Sequence, residues 1–196
     1  MTSFRAARAL AGLALLVPAV ALLGPEPAQA TTKTVVVGND FFSPETVKIA
    51  VGDSVKWSFE GTHTSTSTQG FWNSGTKNAG QSYSRPFTDS GTYPYYCTIH
   101  GMMMHGTVQV PVKASGTASS GYTVRWSSRT STPSSVRFDV QYRLVGSSTW
   151  RSWRTGTATR SATFNPSGAH SYYVHARTHI GTHTSSWSPS VTLKLT

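Results

Sequence analysis

The stretch YYCTIHGMMMHG, residues 95–106, decides how this 196-residue chain is interpreted, because it holds the only cysteine beside two histidines and three of the four methionines. A single thiol cannot close a disulfide within its own chain, so in an exported protein it is a candidate ligand or nucleophile. His100 and Met104 follow Cys97 within eight residues. This crowding of donor atoms favours a metal ligand over a nucleophile.

A fourth donor lies upstream, because His63 follows a predicted strand in the segment EGTHTS, residues 60–65. Two imidazoles, one thiolate and a weak axial thioether form the donor set of a blue-copper electron-transfer site. A structural zinc site takes four strong ligands, and this chain has no second cysteine to offer. We therefore predict one copper site, cycling between Cu(I) and Cu(II). Spacing alone does not choose between Met103 and Met104 as the axial ligand.

Short runs of β-branched and aromatic residues, separated by turns that contain glycine, asparagine or aspartate, recur along the whole chain. No segment keeps a helical period. The predicted strands are 34–37, 47–51, 54–59, 92–97 and 107–112 in the first half, and 122–126, 136–144, 161–164, 172–177 and 191–195 in the second. The sequence predicts an all-β protein made of two β-sandwiches.

The first half resembles the cupredoxin family, in particular the plastocyanin and amicyanin group of small type 1 copper proteins. The resemblance is carried by VVGNDFFSP (36–44), VKIAVGDSVKW (47–57) and DSGTYPYYC (89–97), and by MHGTV (104–108), which is similar to the Met-x-Gly-x-Val motif before the family's last strand. It implies a Greek-key cupredoxin β-sandwich over residues 31–112.

The resemblance also implies a role for each donor. His63 is expected as the buried imidazole, Cys97 as the thiolate, His100 as the imidazole at the solvent edge and Met104 as the axial ligand. Met104 is favoured over Met103 because it alone keeps the motif's register with the following glycine. A redox partner protein would dock near His100, through which electrons enter and leave.

The distribution of charge separates the chain into two domains. Residues 31–116 carry six lysines or arginines against five acids, so their net charge is +1, whereas residues 117–196 carry nine basic residues against Asp139 alone, a net charge of +8. Small polar residues between these parts cannot pack a core, so residues 113–120 are predicted to be a linker.

Residues 121–196 resemble a fibronectin type III module, an immunoglobulin-like β-sandwich. The segments YTVRW (122–126), FDVQYR (138–143), YYVHAR (172–177) and SWSP (186–189) carry this looser resemblance. His175, His179 and His183 recur every fourth residue there, but the surrounding threonines and aromatic residues favour strand and turn, so we expect scattered surface histidines rather than a helical metal site.

The first thirty residues have the pattern of a secretory signal peptide. Arg5 and Arg8 precede an apolar stretch, residues 9–23, and Ala28-Gln29-Ala30 is the small-x-small triplet before a cleavage site. The apolar stretch is short for a membrane span and has no later companion. We therefore predict cleavage near Thr31 and a secreted or cell-envelope protein, with no transmembrane segment in the mature chain.

Electron transfer is the predicted function, and no catalytic residues are predicted. Multicopper oxidases need paired His-x-His ligands, which this chain lacks, and Cys97 has no nearby orienting acid or amide for hydrolase chemistry. The basic second domain is expected to attract an anionic wall polymer or polysaccharide, and no specific nucleic-acid motif is present. Two alternatives remain open: an envelope-bound copper carrier, and an adhesion protein without metal.

Overall fold

The computed structural model describes residues 29–166, 168 and 170–195, and all regular elements in those residues are β-strands. The predicted all-β class is therefore confirmed. The predicted signal peptide, residues 1–30, falls outside the described residues except for Gln29 and Ala30. In the described part of the chain, no helix is long and apolar enough to cross a bilayer.

Two facing sheets form the first sandwich. Their strands are β1 (Thr32–Gly38), β2 (Phe41–Ser43), β3 (Thr46–Lys48), β4 (Ser54–Phe59), β5 (Thr66–Ser67), β6 (Ser82–Pro86), β7 (Gly91–Cys97) and β8 (Gly101–Val110). One sheet has the order β2-β1-β4-β6 and the other β3-β8-β7-β5. Alternate residues of β7 are buried, as the period of two in a strand requires, so Tyr93, Tyr95 and Cys97 all enter the same core.

The structure extends β8 well beyond its predicted start at residue 107. This strand begins at Gly101 and pairs antiparallel with β7 from Gly101 opposite Cys97 to Val110 opposite Gly91. The methionine-rich segment lies outside the predicted strands, but in the structure it belongs to β8. Pairing with β7 overrides its weak β-propensity, because strand preference depends mainly on neighbours.

A second sandwich follows at once. Its strands are β9 (Lys113–Thr117), β10 (Gly121–Arg125), β11 (Val136–Leu144), β12 (Arg151–Thr157), β13 (Ser161–Phe164), β14 (Ser171–Ile180), β15 (His183–Thr184) and β16 (Val191–Lys194). One sheet has the order β13-β10-β9. The other has the order β12-β11-β14-β15, and β16 also pairs with β14. The core of this sandwich is centred on Trp126, Phe138 and Val174.

The prediction of a linker over residues 113–120 is wrong, because most of these residues form a strand. Lys113–Thr117 forms the edge strand β9, which pairs with β10 in the register Thr117 to Gly121, and Ser120 lies in the turn between them. Small polar residues cannot fill a core, but an edge strand needs only backbone pairing and one packed face. Ala114 supplies that contact with the second core.

The two sandwiches touch through the residues that lead into β7. Thr92 and Ser186 exchange backbone hydrogen bonds of 3.0 and 3.1 Å. The Ser90 N–H donates to the Trp126 carbonyl at 2.8 Å, and the Thr178 hydroxyl donates to the Ser90 carbonyl at 2.7 Å. These bonds leave no flexible spacer between the two cores.

A buried ion pair reinforces this junction. The Asp89 carboxylate has a side-chain exposure of only 5%, and the Arg129 guanidinium donates to both of its oxygens at 2.7–3.1 Å. Thr88 donates a further hydrogen bond to the same carboxylate. Asp89 belongs to the first sandwich and Arg129 to the second, so the pair joins the two halves.

We expect Arg129→Met to lower the free energy of unfolding by about 3 kcal/mol, because it leaves the Asp89 carboxylate buried without its counter-charge. Denaturant unfolding followed by tryptophan fluorescence measures the change. Arg125→Met is the matched control, since Arg125 is exposed on β10, and it should stay within about 0.5 kcal/mol of the unsubstituted protein. Equal effects of the two substitutions would contradict a stabilising role for the pair.

Candidate metal centre

Cys97 and His100 are brought together by the tight connection between β7 and β8. Cys97 is the last residue of β7 and is fully buried, while Gly101 opens β8 opposite it, after a register shift between Tyr96 and Cys97. Gly101 has a φ of +65°, in the left-handed region that glycine adopts without strain. The chain can therefore reverse directly after His100, which keeps this imidazole beside the thiol.

His63 follows a strand of the opposite sheet. It lies after the end of β4, where its backbone exchanges hydrogen bonds of 2.8 and 2.9 Å with Lys77. Only 4% of His63 is exposed. This isolated bridge fixes the backbone of His63 independently of the β7–β8 connection.

Three of the predicted donor atoms converge. His63 Nδ1 lies 3.2 Å from His100 Nδ1, and Cys97 Sγ lies 3.4 Å from His100 Nδ1 and 3.9 Å from His63 Nδ1. Metal bonds to nitrogen and thiolate of about 2.0–2.3 Å in a trigonal arrangement put ligand atoms roughly 3.5–4 Å apart. The observed separations lie in that range or a few tenths of an ångström below it, so the residues fit a metal ion bound by two imidazoles and a thiolate.

The Cys97 thiol is held in a way that favours its ionised form. Burial raises the pKa of the thiol, but the backbone N–H groups of Thr64, Ile99 and His100 donate toward the sulfur. The Thr64 N–H lies 3.4 Å from Sγ. These donors, with the His63 ring, outweigh burial and lower the pKa of Cys97 to about 6.

Thr64 links the two elements that carry the ligands. Its hydroxyl oxygen accepts a hydrogen bond of 2.8 Å from the Thr98 N–H and lies 3.1 Å from the Thr98 hydroxyl. The neighbouring Ser65 accepts from the Trp72 indole at 3.1 Å. These hydrogen bonds hold the residues that follow His63 and Cys97, and nothing in the sequence pointed to Ser65 or Trp72.

The structure separates the three consecutive methionines. Met104 is 1% exposed and packs in the same cluster as Cys97, while Met102 and Met103 face outward. Gly106, two residues later, contacts the Tyr95 ring so closely that a Cβ there would lie 2.5 Å from its hydroxyl oxygen. This close approach holds β8 against β7 and explains the glycine of the MHGTV motif.

Asp40 contacts the outer nitrogen of His100, a partner that the sequence did not suggest. Asp40 Oδ1 lies 3.5 Å from His100 Nε2, and Asp40 adopts a φ of +61° in the turn between β1 and β2. With Nδ1 directed at the other donors, Nε2 is the nitrogen that remains to donate outward. Residues sixty positions apart give no local signal, so only the fold reveals this contact.

The remaining histidines take other partners. His105 contacts Glu45 at 3.1 Å on the surface. His175, predicted to lie on the surface, is instead buried between Trp150 and Trp187, with ring centroids 3.7 and 4.3 Å away. Burial, with help from two nearby arginines, lowers the pKa of His175 to about 4.

In the part of the chain that the structure describes, the only metal-competent group of histidine, cysteine or acidic residues is His63, Cys97 and His100.

Comparison with known proteins shows what the first sandwich is similar to. Residues 30–111 match the family model of copper binding proteins of the plastocyanin/azurin family. An oxidized amicyanin variant is 27% identical, with 39% of this chain and 79% of that chain covered and a TM-score of 0.37. A purple cupredoxin from Nitrosopumilus maritimus is 28% identical, with coverage of 39% and 97% and a TM-score of 0.37.

A third similar structure is a much longer protein. The copper-containing nitrite reductase from Thermus scotoductus SA-01 is 26% identical, with 39% of this chain and 21% of that chain covered and a TM-score of 0.37. The chain thus spans about a fifth of that enzyme.

Copper is the cofactor of this centre. The family model matches the part of the chain that contains all three converging residues. Their donor atoms, two imidazole nitrogens and one low-pKa thiol, are the equatorial set of a type 1 copper site. His63, Cys97 and His100 are the residues placed to hold the ion.

In the metal-free protein, we expect Cys97 to titrate with a pKa of about 6, because the N–H donors around its sulfur stabilise the thiolate. An unfolded cysteine has a pKa of about 8.5. The ionised sulfur therefore makes its full contribution to stability above that pH. This contribution is lost as the pH falls through about 6. Thiolate absorbance in the ultraviolet measures the titration, with Cys97→Ser as the blank. A midpoint of about 8.5 or above would show that burial dominates.

Proposed function

We propose that the protein is an exported type 1 copper protein that carries single electrons and catalyses no reaction of its own. The observation that supports this most strongly is the convergence of His63 Nδ1, Cys97 Sγ and His100 Nδ1 within 4.8 Å of one another. Export is supported by the basic, apolar and small-x-small segments at the start of the chain.

The arrangement of the ligands suits electron transfer. Copper bound there supplies a one-electron Cu(I)/Cu(II) couple. His63 is fixed by its bridge to Lys77, and Cys97 by the end of β7 and the Thr64 N–H. Because separate, rigid elements hold these ligands, they have little freedom to rearrange when the charge of the site changes. Small rearrangement is what rapid electron exchange requires.

We assign the axial position to Met104. A weak thioether ligand must face the buried sulfur and imidazoles, and Met104 is buried in the same core cluster as Cys97. Met103 is 92% exposed, so its thioether faces solvent. Burial thus supports the choice that the resemblance made between the two residues.

Exposed apolar residues lie on both sides of His100 in the chain, and we propose that they form a patch on which the redox partner docks. Ile99 is 50% exposed and Met102 62%, and with Met103 they flank His100 in the chain. Phe41, 48% exposed, follows Asp40, which touches the imidazole. Exposed large apolar groups of this kind mark interaction sites. Asp40 and Glu45 are the acids beside this patch, which suits a partner with an apolar centre and basic residues at its rim.

We propose that the second sandwich is a fibronectin type III-like module that binds an anionic wall polymer or polysaccharide. Most of its arginines already have partners: Arg129 and Arg177 pair with aspartates, and Arg137, Arg143, Arg154 and Arg160 donate to backbone carbonyls. A carbonyl does not neutralise a guanidinium, so these residues keep their charge. The module therefore retains the positive potential that attracts polyanions.

Copper titration of the mature protein tests the proposed site. We expect an intense thiolate–copper absorption band at roughly 600 nm, which Cys97→Ser abolishes because it removes the charge-transfer donor. Met104→Leu should shift the band, and Met103→Leu, the matched control, should leave it unchanged. A shift with Met103→Leu alone would reverse the axial assignment. Absence of any band would favour an adhesion protein, and ready loss of copper to a competing chelator would favour a carrier.

The proposed docking patch is tested by electron self-exchange between Cu(I) and Cu(II) forms. We expect Ile99→Glu to slow self-exchange by at least about tenfold, because it removes an apolar contact of about 1.5–3 kcal/mol and places like charges face to face. Val145→Glu makes a similar change at an exposed apolar residue of the second sandwich and should have little effect. Equal slowing by both would indicate a general charge effect rather than docking beside His100.

A further inference from the structure

Asp53 directly precedes β4. Its side chain binds the backbone of Thr31, where the mature chain is expected to begin. Its carboxylate is 9% exposed. Oδ1 accepts a hydrogen bond of 2.8 Å from the Thr31 N–H, and Oδ2 accepts one of 2.9 Å from the Ala50 N–H. Burial raises the pKa of Asp53, but these N–H groups outweigh it and hold the pKa below its usual value. The carboxylate is therefore charged at neutral pH and faces the Thr31 nitrogen.

The position of Thr31 is set by strand pairing. Thr32 pairs with Ser54 in the parallel ladder of β1 and β4, and the Ser54 N–H donates to the Thr31 carbonyl at 2.8 Å. Gln29 and Ala30 are exposed and belong to no strand. With Asp53 and Lys113 they line a cavity of about 600 Å³. The peptide bond between Ala30 and Thr31 thus lies just outside the folded sheet.

We propose that cleavage after Ala30 turns the Thr31 nitrogen into an α-ammonium group that Asp53 binds as an ion pair. This inference rests on the proposed export. Water adds across the Ala30–Thr31 peptide bond under the action of a signal peptidase. Ala30 leaves with a carboxylate, and the Thr31 nitrogen takes up a proton. The hydrogen bond already seen at 2.8 Å then becomes a charge-assisted bond.

The geometry distinguishes this cleavage point from its neighbours. Cleavage after Thr32 would remove the carbonyl that Ser54 binds and would place the new ammonium on Lys33, two residues beyond the nitrogen that Asp53 contacts. Cleavage before Gln29 would leave an uncharged amide at Thr31. Only a chain that begins at Thr31 places the charge on the nitrogen that Asp53 contacts. The ion pair is consequently absent from the precursor and forms on maturation, when the protein no longer needs to stay unfolded for export.

Two measurements, made on each of two chains, test the ion pair. A chain that begins at Thr31, released from a fusion by a site-specific protease, is compared with a chain that keeps Gln29 and Ala30. We expect the Thr31 α-amine to titrate about one unit above its ordinary pKa of about 7.7–8.0. Its contribution to stability is complete below that ordinary value and is lost as the pH rises through the raised one. Relative to the longer chain, the unfolding equilibrium constant should therefore rise about tenfold, about 1.4 kcal/mol, at high pH.

Asp53→Asn in both chains separates the ion pair from the structural hydrogen bond to Ala50. The substitution should return the Thr31 amine to its ordinary pKa and abolish the difference in pH dependence between the two chains. Lys33 and Lys113 are the nearby cations, and both are present in each chain, so their titration cancels. If Asp53→Asn does not fold, the amine titration of the two unsubstituted chains still decides the question.

Two results would overturn the inference. One is an ordinary amine pKa in the chain that begins at Thr31. The other is a first residue other than Thr31 when the full 196-residue chain is secreted by a bacterial host and its N-terminus is determined by mass spectrometry. The copper absorption band of the same samples reports separately on the proposed electron-transfer function, so a failure of one proposal is distinguished from a failure of the other.

Discussion

The rest of the structure depends on the alternation of side chains along β7. This strand buries every second residue from Gly91 to Cys97, so one face supplies both the aromatic core and the thiolate. Its first residues bond to the second sandwich, and its last residue is the copper ligand. A shift of one position would turn Tyr93, Tyr95 and Cys97 outward together, which ties the identity of the metal site to the packing of the whole domain.

The electrostatics of the centre result from a competition between burial and hydrogen bonding. Burial alone would keep the Cys97 sulfur protonated, and the N–H groups that surround it reverse this preference. The same donors pull electron density from the sulfur when copper is bound, which is one way a protein adjusts the potential of a blue-copper site. Thr64 contributes twice, because its N–H faces the sulfur and its hydroxyl binds the residue after Cys97.

Much of this could be predicted from the sequence, because the informative patterns are local. Strands β4, β11 and β13 have the predicted bounds, since alternating β-branched and aromatic residues between turn signals identify them. The convergence of His63, Cys97 and His100 followed from the donor types and the resemblance to cupredoxins. The features that the sequence predicted wrongly or did not reveal depend on residues that are distant along the chain. β9 is stabilised by pairing with β10, Asp40 meets His100 across the fold, and His175 is buried by tryptophans from two separate loops.

We propose that rigid, separately anchored ligands hold copper in nearly the same surroundings in both oxidation states. X-ray absorption at the copper edge, recorded on the Cu(I) and Cu(II) forms of the mature protein, tests it most directly. We expect one short copper–sulfur contact and two imidazole nitrogens in both forms, at nearly unchanged distances. Loss of an imidazole or of the thiolate in one form, or replacement by oxygen donors, would contradict it.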